Sequence, residues 1–197
     1  MPYEAIVIGA SVGGLEALKI LLSALPASFP SPVAIVQHIG ERSENFMAEL
    51  LNQASRITVK EAEDKESLSP GTAYLAPPGY HLLIEPDRSF SLSVDERVNY
   101  ARPSIDVLFE SAAEVFGETL IGIILTGANA DGAQGLKTIK QYGGLAIVQS
   151  PEGAENPAMP KAALTTTEVD YVVSLEQLTQ ILLQLTAQEA EAYDTND

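Results

Sequence analysis

At 197 residues and 46% apolar content, the chain is long enough to bury the core of one globular domain. Its formal net charge of -16 argues against binding to nucleic acid or an anionic membrane, which needs a basic face, and its lack of cysteine excludes disulfides, thiolate metal sites and a cysteine nucleophile. No apolar run approaches the ~20 residues of a membrane span, and Met1-Pro2-Tyr3-Glu4 lacks the basic region and cleavage site of a signal peptide, so a soluble cytoplasmic protein with no direct membrane insertion is expected.

Glu4 to Gly9 reads as a buried strand, and Leu15, Leu18, Leu22 and Leu25 recur after it at helical spacing until Pro26 stops the helix. The turn between them is Gly9-Ala10-Ser11-Val12-Gly13-Gly14. It is neither G-x-G-x-x-G nor a P-loop, since the first basic residue after it is Lys19, inside the helix. It is not the G-x-S-x-G elbow either. It shares that elbow's logic: small residues let a ligand approach, and the serine lies near a helix N-terminus that favours negative charge. Ser11 is therefore either a helix cap or a nucleophile.

Val33 to His38 is a second strand, followed by a helical face of Phe46, Met47, Leu50, Leu51 and Ala54. His38 and His81 are the only histidines. A histidine ending an apolar strand is by default structural, but His38 is also the one plausible general base beside Ser11 if the two strands are neighbours. From about 58 to 99 short alternating runs are separated by Pro70-Gly71, Pro77-Pro78-Gly79 and Pro86-Asp87, which predicts an antiparallel hairpin insertion at one edge of the sheet. His81 lies in it and is a candidate to line the site.

Alternation of helix and strand then resumes. Pro103 suits a first helical turn; Ile105, Leu108, Phe109, Ala112 and Phe116 form one stripe, ended by Gly117. Thr119 to Leu125 is a strand and Gly132 to Tyr142 a helix. Leu145 to Gln149 and Tyr171 to Val173 are short strands, and Leu175, Leu178, Ile181, Leu182 and Leu185 mark a C-terminal amphipathic helix. The fold expected is α/β: a mainly parallel, doubly wound sheet with helices on both faces. One domain is expected over 1–187, with an acidic tail over 188–197.

Asp131 follows Leu125-Thr126-Gly127-Ala128-Asn129-Ala130 and precedes a helix. It is an N-cap or the third member of a triad with Ser11 and His38, accepting the histidine Nδ1–H and stabilising the imidazolium. The turn Thr126-Gly127-Ala128 offers backbone N–H groups to an oxyanion. Each residue alone is ambiguous. All three past strand ends, on the edge where open parallel sheets bind ligands, are less so.

At these residues the sequence resembles the catalytic domain of the chemotaxis protein-glutamate methylesterases, a family marked by a G-A-S-x-G-G turn, a Q-H strand end and an L-T-G-M-G-x-D-G-A loop. Here these stand as Gly9 to Gly14, Gln37-His38 and Leu125 to Ala133. Arg102-Pro103-Ser104-Ile105-Asp106 and Met159-Pro160-Lys161-Ala162-Ala163 extend the similarity, which runs from about Ala5 to Ile181. The resemblance implies hydrolysis of γ-glutamyl methyl esters on chemoreceptors, with glutamine deamidation as a second activity. Ser11 would be nucleophile, His38 general base and acid, and Asp131 the orienting carboxylate. The oxyanion donors would be the backbone N–H groups of His38 and Ala128, with Gly13, Gly14, Thr126 and Gly127 shaping the pocket. No metal or organic cofactor is implied. Ala128-Asn129 replaces the usual Met-Gly, and Ile39 to Asn45 lacks the usual proline and Phe-Thr pattern. Typical members carry an N-terminal receiver domain; the first strand here begins almost at Met1, so a separate receiver-domain protein is the regulator expected. The partner implied is a methylated chemoreceptor or a related signalling protein. A non-catalytic scaffold on the same fold is the alternative, and a phosphate-binding flavodoxin-like protein a weaker one.

Overall fold

The computed structural model describes residues 3–38 and 46–187. The chain runs β1 (Ala5–Ala10), α1 (Gly14–Ala24), β2 (Val33–Gln37), α2 (Phe46–Ala54), β3 (Thr58–Glu61), β4 (Thr72–Leu75), β5 (His81–Ile84), β6 (Phe90–Ser93) and α3 (Ile105–Phe116). After a short 3-10 turn come β7 (Leu120–Ile124), α4 (Ala133–Gln141), β8 (Leu145–Gln149), α5 (Ala158–Thr166), β9 (Tyr171–Val173) and α6 (Leu175–Ala187).

Seven strands form one sheet in the order β3-β4-β2-β1-β7-β8-β9, and every pairing in it is parallel. Because both faces are covered, β1, β2 and β7 are continuous apolar runs without polar alternation. Ile6 and Ile8 of β1 pack with Leu18, Leu21 and Leu22 of α1, Leu51 of α2, and Leu178 and Leu182 of α6. Val7 points the other way, into a cluster with Phe109 of α3, Leu136 of α4, Met159 of α5 and Leu82 and Phe90 of the hairpin. The expected doubly wound α/β architecture is what the chain forms.

Three local readings differ. Antiparallel pairing within 58–99 is limited, among the described residues, to the separate β5–β6 ribbon and one isolated bridge between Ser67 and Ser89. Thr72–Leu75, expected in the hairpin insertion, is instead an inner parallel strand between β2 and β3. Its Ala73, Tyr74 and Leu75 are all buried, and a four-residue run does not reveal in sequence whether its partners are parallel. Pro103 precedes the N-cap Ser104 rather than lying in the first turn of α3. Helix α5, which carries little hydrophobic periodicity, was not expected. Among the described residues no helix is long and apolar enough to cross a membrane.

Gly9 lets α3 approach the sheet, because a Cβ there would run into the buried side chain of Ile105, the first residue of that helix. Gly9→Ala is expected to destabilise the protein by about 1–3 kcal/mol through overpacking; urea denaturation of the two proteins measures it.

Candidate active site

Strand order fixes the site. β1 lies between β2 and β7, with Ala10 beside Gln37 and Gly9 beside Ile124. The residues that follow these strands, Ser11, His38 and the loop 125–131, thus leave the sheet side by side at its C-terminal edge, where the chain switches direction across the sheet.

Asp131 anchors this edge. Its side chain is fully shielded from solvent and accepts five hydrogen bonds. Oδ1 takes Ser104 Oγ–H at 2.8 Å, Asn99 Nδ2–H at 2.9 Å and the Asp106 N–H at 3.2 Å. Oδ2 takes the Ile105 N–H at 2.7 Å and His38 Nε2 at 2.8 Å. The N-cap of the following helix α4 is Gly132, in left-handed conformation, so Asp131 does not cap its own helix. It caps α3, binding N–H groups of its first two residues, while Ser104 spends its hydroxyl on the same carboxylate rather than on the helix. Burial alone would raise the Asp131 pKa. Hydrogen bonds from His38, Asn99, the Ile105 N–H and Ser104 outweigh burial and hold it below the usual carboxylate range.

His38 meets Asp131 through Nε2, not through Nδ1 as the sequence reading had it. Nδ1 faces the Asn129 amide, Nδ2 to Nδ1 at 3.3 Å, an arrangement in which Nδ1 accepts and Nε2 donates to Asp131. Asn129, one of the two residues that depart from the family motif, thus reaches the imidazole directly. Its Oδ1 accepts the Asp131 N–H at 3.1 Å.

Ser11 is placed by its backbone. Its N–H donates to Thr126 O at 2.9 Å, and its carbonyl accepts Gly14 N–H at 2.8 Å and Gln37 Nε2–H at 2.7 Å. Gln37 Nε2 also donates to His38 O at 3.0 Å, so one buried amide ties the serine's strand end to the histidine's. The Ser11 hydroxyl has no hydrogen bond among the described residues, to His38 or to any other group. Gly13 is the left-handed N-cap of α1, with a φ of 78°. A Cβ on Gly14 would collide with Gln37, and one on Gly127 would approach Ser11 Cβ to 3.0 Å.

Three of the N–H groups expected to stabilise an oxyanion are engaged elsewhere. His38 N–H donates to Ala10 O at 2.9 Å and Gly127 N–H to Asn156 O at 3.0 Å. The Thr126 N–H donates to Gln149 Oε1 at 2.8 Å. Parallel pairing prolonged past the strand ends consumes the first, and loop anchoring the other two. Among the described residues, the N–H groups of Ala128 and Val12 have no acceptor. Ala128 was the other donor the resemblance implied; Val12, directly after the serine, was not anticipated.

His81 does not line the site. It is buried, accepts the Ser104 N–H through Nδ1 at 3.2 Å and donates from Nε2 to Glu96 O at 3.0 Å. It braces the start of α3 from behind. The segment Ile39 to Asn45 lies outside the described residues, as does the tail 188–197. Among the described residues no group of three or more His, Asp or Glu side chains is arranged to hold a metal ion.

Sequence reasoning missed Asn99, Ser104, Gln37 and Gln149. Ser104 and Asp106 flank Ile105 in a helix-start pattern that reads only as a local cap. The two glutamines each end an A-I-V-Q strand, a repeat visible in Ala34 to Gln37 and Ala146 to Gln149.

A serine hydroxyl and N–H groups without partners among the described residues, beside a carboxylate-held imidazole at one sheet edge, are the parts of a hydrolase working by acyl transfer. The chain belongs to the CheB methylesterase family, whose model matches residues 6–182. It is 56% identical over 185 residues to a Leptospira interrogans protein provisionally named protein-glutamate methylesterase/protein-glutamine glutaminase, covering 94% of this chain and 96% of that one. It is 38% identical to the protein-glutamate methylesterase FrzG of Myxococcus xanthus, covering 93% of this chain and 55% of FrzG. Among solved structures, the Thermotoga maritima CheB methylesterase catalytic domain superposes with a TM-score of 0.90 at 34% identity, covering 94% of this chain and all of that one.

Asp131 lends stability that is present above the unfolded carboxyl pKa of ~3.9 and is lost as pH falls through its lower folded value. Asp131→Asn is expected to cost about 1–3 kcal/mol at pH 7, because an amide cannot accept all five donors. Urea denaturation from pH 7 down to pH 3 should show the variant losing less stability than the parent in the acid part of that range.

Proposed function

We propose that the chain is a carboxylic ester hydrolase, a protein-glutamate methylesterase. It removes methyl groups from γ-glutamyl esters on the cytoplasmic helices of a methylated chemoreceptor or related signalling protein, and deamidates glutamine as a second activity. The observation that carries this reading is the 2.8 Å contact between His38 and the buried Asp131, on the strand beside the one that ends at Ser11.

In this reading Ser11 Oγ attacks the ester carbonyl carbon while His38 takes the hydroxyl proton. Nε2–H is held by Asp131, so Nδ1 is the nitrogen that receives it. The exposed Asn129 amide now at Nδ1 makes a long contact that the serine hydroxyl replaces. The tetrahedral oxyanion lies against the Ala128 and Val12 N–H groups at the positive end of α1. The imidazolium, stabilised by Asp131, returns its proton to the methoxide oxygen as the carbon–oxygen bond breaks and methanol leaves. Water then attacks the acyl-serine, giving its proton to His38. Collapse of that second intermediate breaks the bond to Ser11 Oγ, which regains the proton from His38, and the glutamate carboxylate is released. An amide follows the same path with ammonia as leaving group. Ala128 supplies the backbone donor without the bulk of the usual methionine, which leaves more room above the serine.

Ser11→Ala is expected to lower methanol release from methylated receptor fragment by roughly 10³-fold or more, with thermal unfolding unchanged. Mass spectrometry should find a fluorophosphonate adduct on Ser11 in the parent protein. Full methanol release by Ser11→Ala, or a parent serine that never labels, would favour the scaffold reading instead.

A further inference from the structure

Behind Asp131 lies a second buried carboxylate that the mechanism above does not use. Asp106, in the first turn of α3, is 5% exposed. Its Oδ1 accepts the Gly135 N–H of α4 at 2.7 Å. Its Oδ2 accepts Asn99 Nδ2–H at 2.7 Å, and the same Nδ2 donates its other hydrogen to Asp131 Oδ1 at 2.9 Å. One amide group therefore joins two neighbouring carboxylates.

The backbone aims that amide inward. Val98 and Ala101 exchange hydrogen bonds across a two-residue turn, N–H to O at 3.2 and 2.9 Å. Its central residues Asn99 and Tyr100 both have positive φ, 52° and 62°. This is the backbone of a tight hairpin turn that favours Asn or Gly at its first central position. Tyr100 stands 96% exposed at the tip. The surrounding loop is tied down by Arg102 Nη1–H, which donates to Val94 O at 2.7 Å and Asp95 O at 3.0 Å, and by His81 on Glu96 O.

We propose that Asn99 is a positioning residue for the esterase reaction, its amide holding Asp131 in the orientation that receives His38 and bracing it against Asp106. This rests on the methylesterase reading and deepens it. Asn99 touches neither Ser11 nor His38; it acts through Asp131. Among the described residues, the pair is also faced by His38 on Asp131 Oδ2 and by Glu110, further along α3, with His81 behind Ser104. Arg102 Nη1 is used on the carbonyls of Val94 and Asp95, and Asn99 is the side chain whose amide bonds both carboxylates. Burial raises the Asp106 pKa, which the Gly135 N–H opposes and the Asp131 charge reinforces; without the amide the two like charges would face one another directly.

The turn supplies clean variants. Asn99→Gly suits the positive φ and deletes only the amide. Asn99→Asp also suits the turn and replaces the donor with a third carboxylate. With one donor fewer, Asp131 holds the imidazolium more strongly, so the acid limb of kcat/KM should move to higher pH, by about one pH unit in Asn99→Gly and further in Asn99→Asp. kcat should fall about tenfold in Asn99→Gly with KM within about twofold of the parent. The pH dependence of fluorophosphonate labelling of Ser11 should shift in parallel, which reads the site without any receptor substrate. Circular dichroism and thermal unfolding check the fold. An unmoved acid limb in both variants, whether or not kcat falls, would reduce Asn99 to a turn residue and overturn the proposal. Failure of the parent protein to label at all would overturn the esterase reading and this proposal with it.

Discussion

The Asp131 carboxylate is the interaction on which the rest of the site depends. An ionised carboxylate out of reach of solvent is costly unless its lone pairs are filled, and here five donors fill them. Three belong to the start of α3, so the same group that holds His38 also fixes that helix against the sheet. Asp106 answers from within α3 by taking an N–H of α4, the helix that begins just past Asp131. Each carboxylate caps the neighbour's helix rather than its own. The positive ends of two helices thus supply the field that keeps a buried negative charge in place, and neither helix can shift without disturbing the histidine.

The serine is held differently. Ser11 is fixed through its backbone: Thr126 O takes its N–H, and Gln37 binds its carbonyl. Gln37 and Gln149 end β2 and β8, the two strands that flank the β1–β7 pair, and each turns its amide onto the loop of the adjacent strand. A strand-end glutamine suits this role because it continues an apolar run in register and then offers a side-chain amide at loop height. Gln37 gives up something for it. Its Oε1 lies buried against Gly14 with no donor, while its Nε2 makes two bonds to carbonyls.

Much of this was legible in the residues. Continuous apolar runs in β1, β2 and β7 announce buried parallel strands, and small residues after them announce open turns, so Ser11, His38 and Asp131 at one edge followed from periodicity. What escaped was partnership across long separations. Asp131 caps α3 from 26 residues away, and nothing in Ser104-Ile105-Asp106 distinguishes a helix capped from afar from one capped locally. The imidazole nitrogen facing Asp131 depends on the ring's rotation, and no spacing encodes it. The parallel pairing of β4 was hidden because a four-residue apolar strand looks the same in either sheet type. The fate of the His38, Gly127 and Thr126 N–H groups was hidden for a related reason: a backbone donor is identical in every residue, so only the fold says which remain free.

That last point orders the whole edge. The groups that hold the geometry, Asp131, Thr126, Gln37 and Gln149, are buried, and their hydrogen-bonding capacity is used almost to the full. The groups the mechanism asks to react or to receive charge are the reverse. Ser11 is half-buried and its hydroxyl has no partner among the described residues, and the N–H groups assigned to the oxyanion are those of Val12, 46% exposed, and of the exposed Ala128. An unsatisfied polar atom is expensive only where water cannot reach it. Placing the open donors at the rim and the saturated ones beneath lets the fold keep reactive groups unpaired at little cost to stability. Substrate then replaces water at the rim, while the buried frame, bonded throughout except at Gln37 Oε1, has little reason to move.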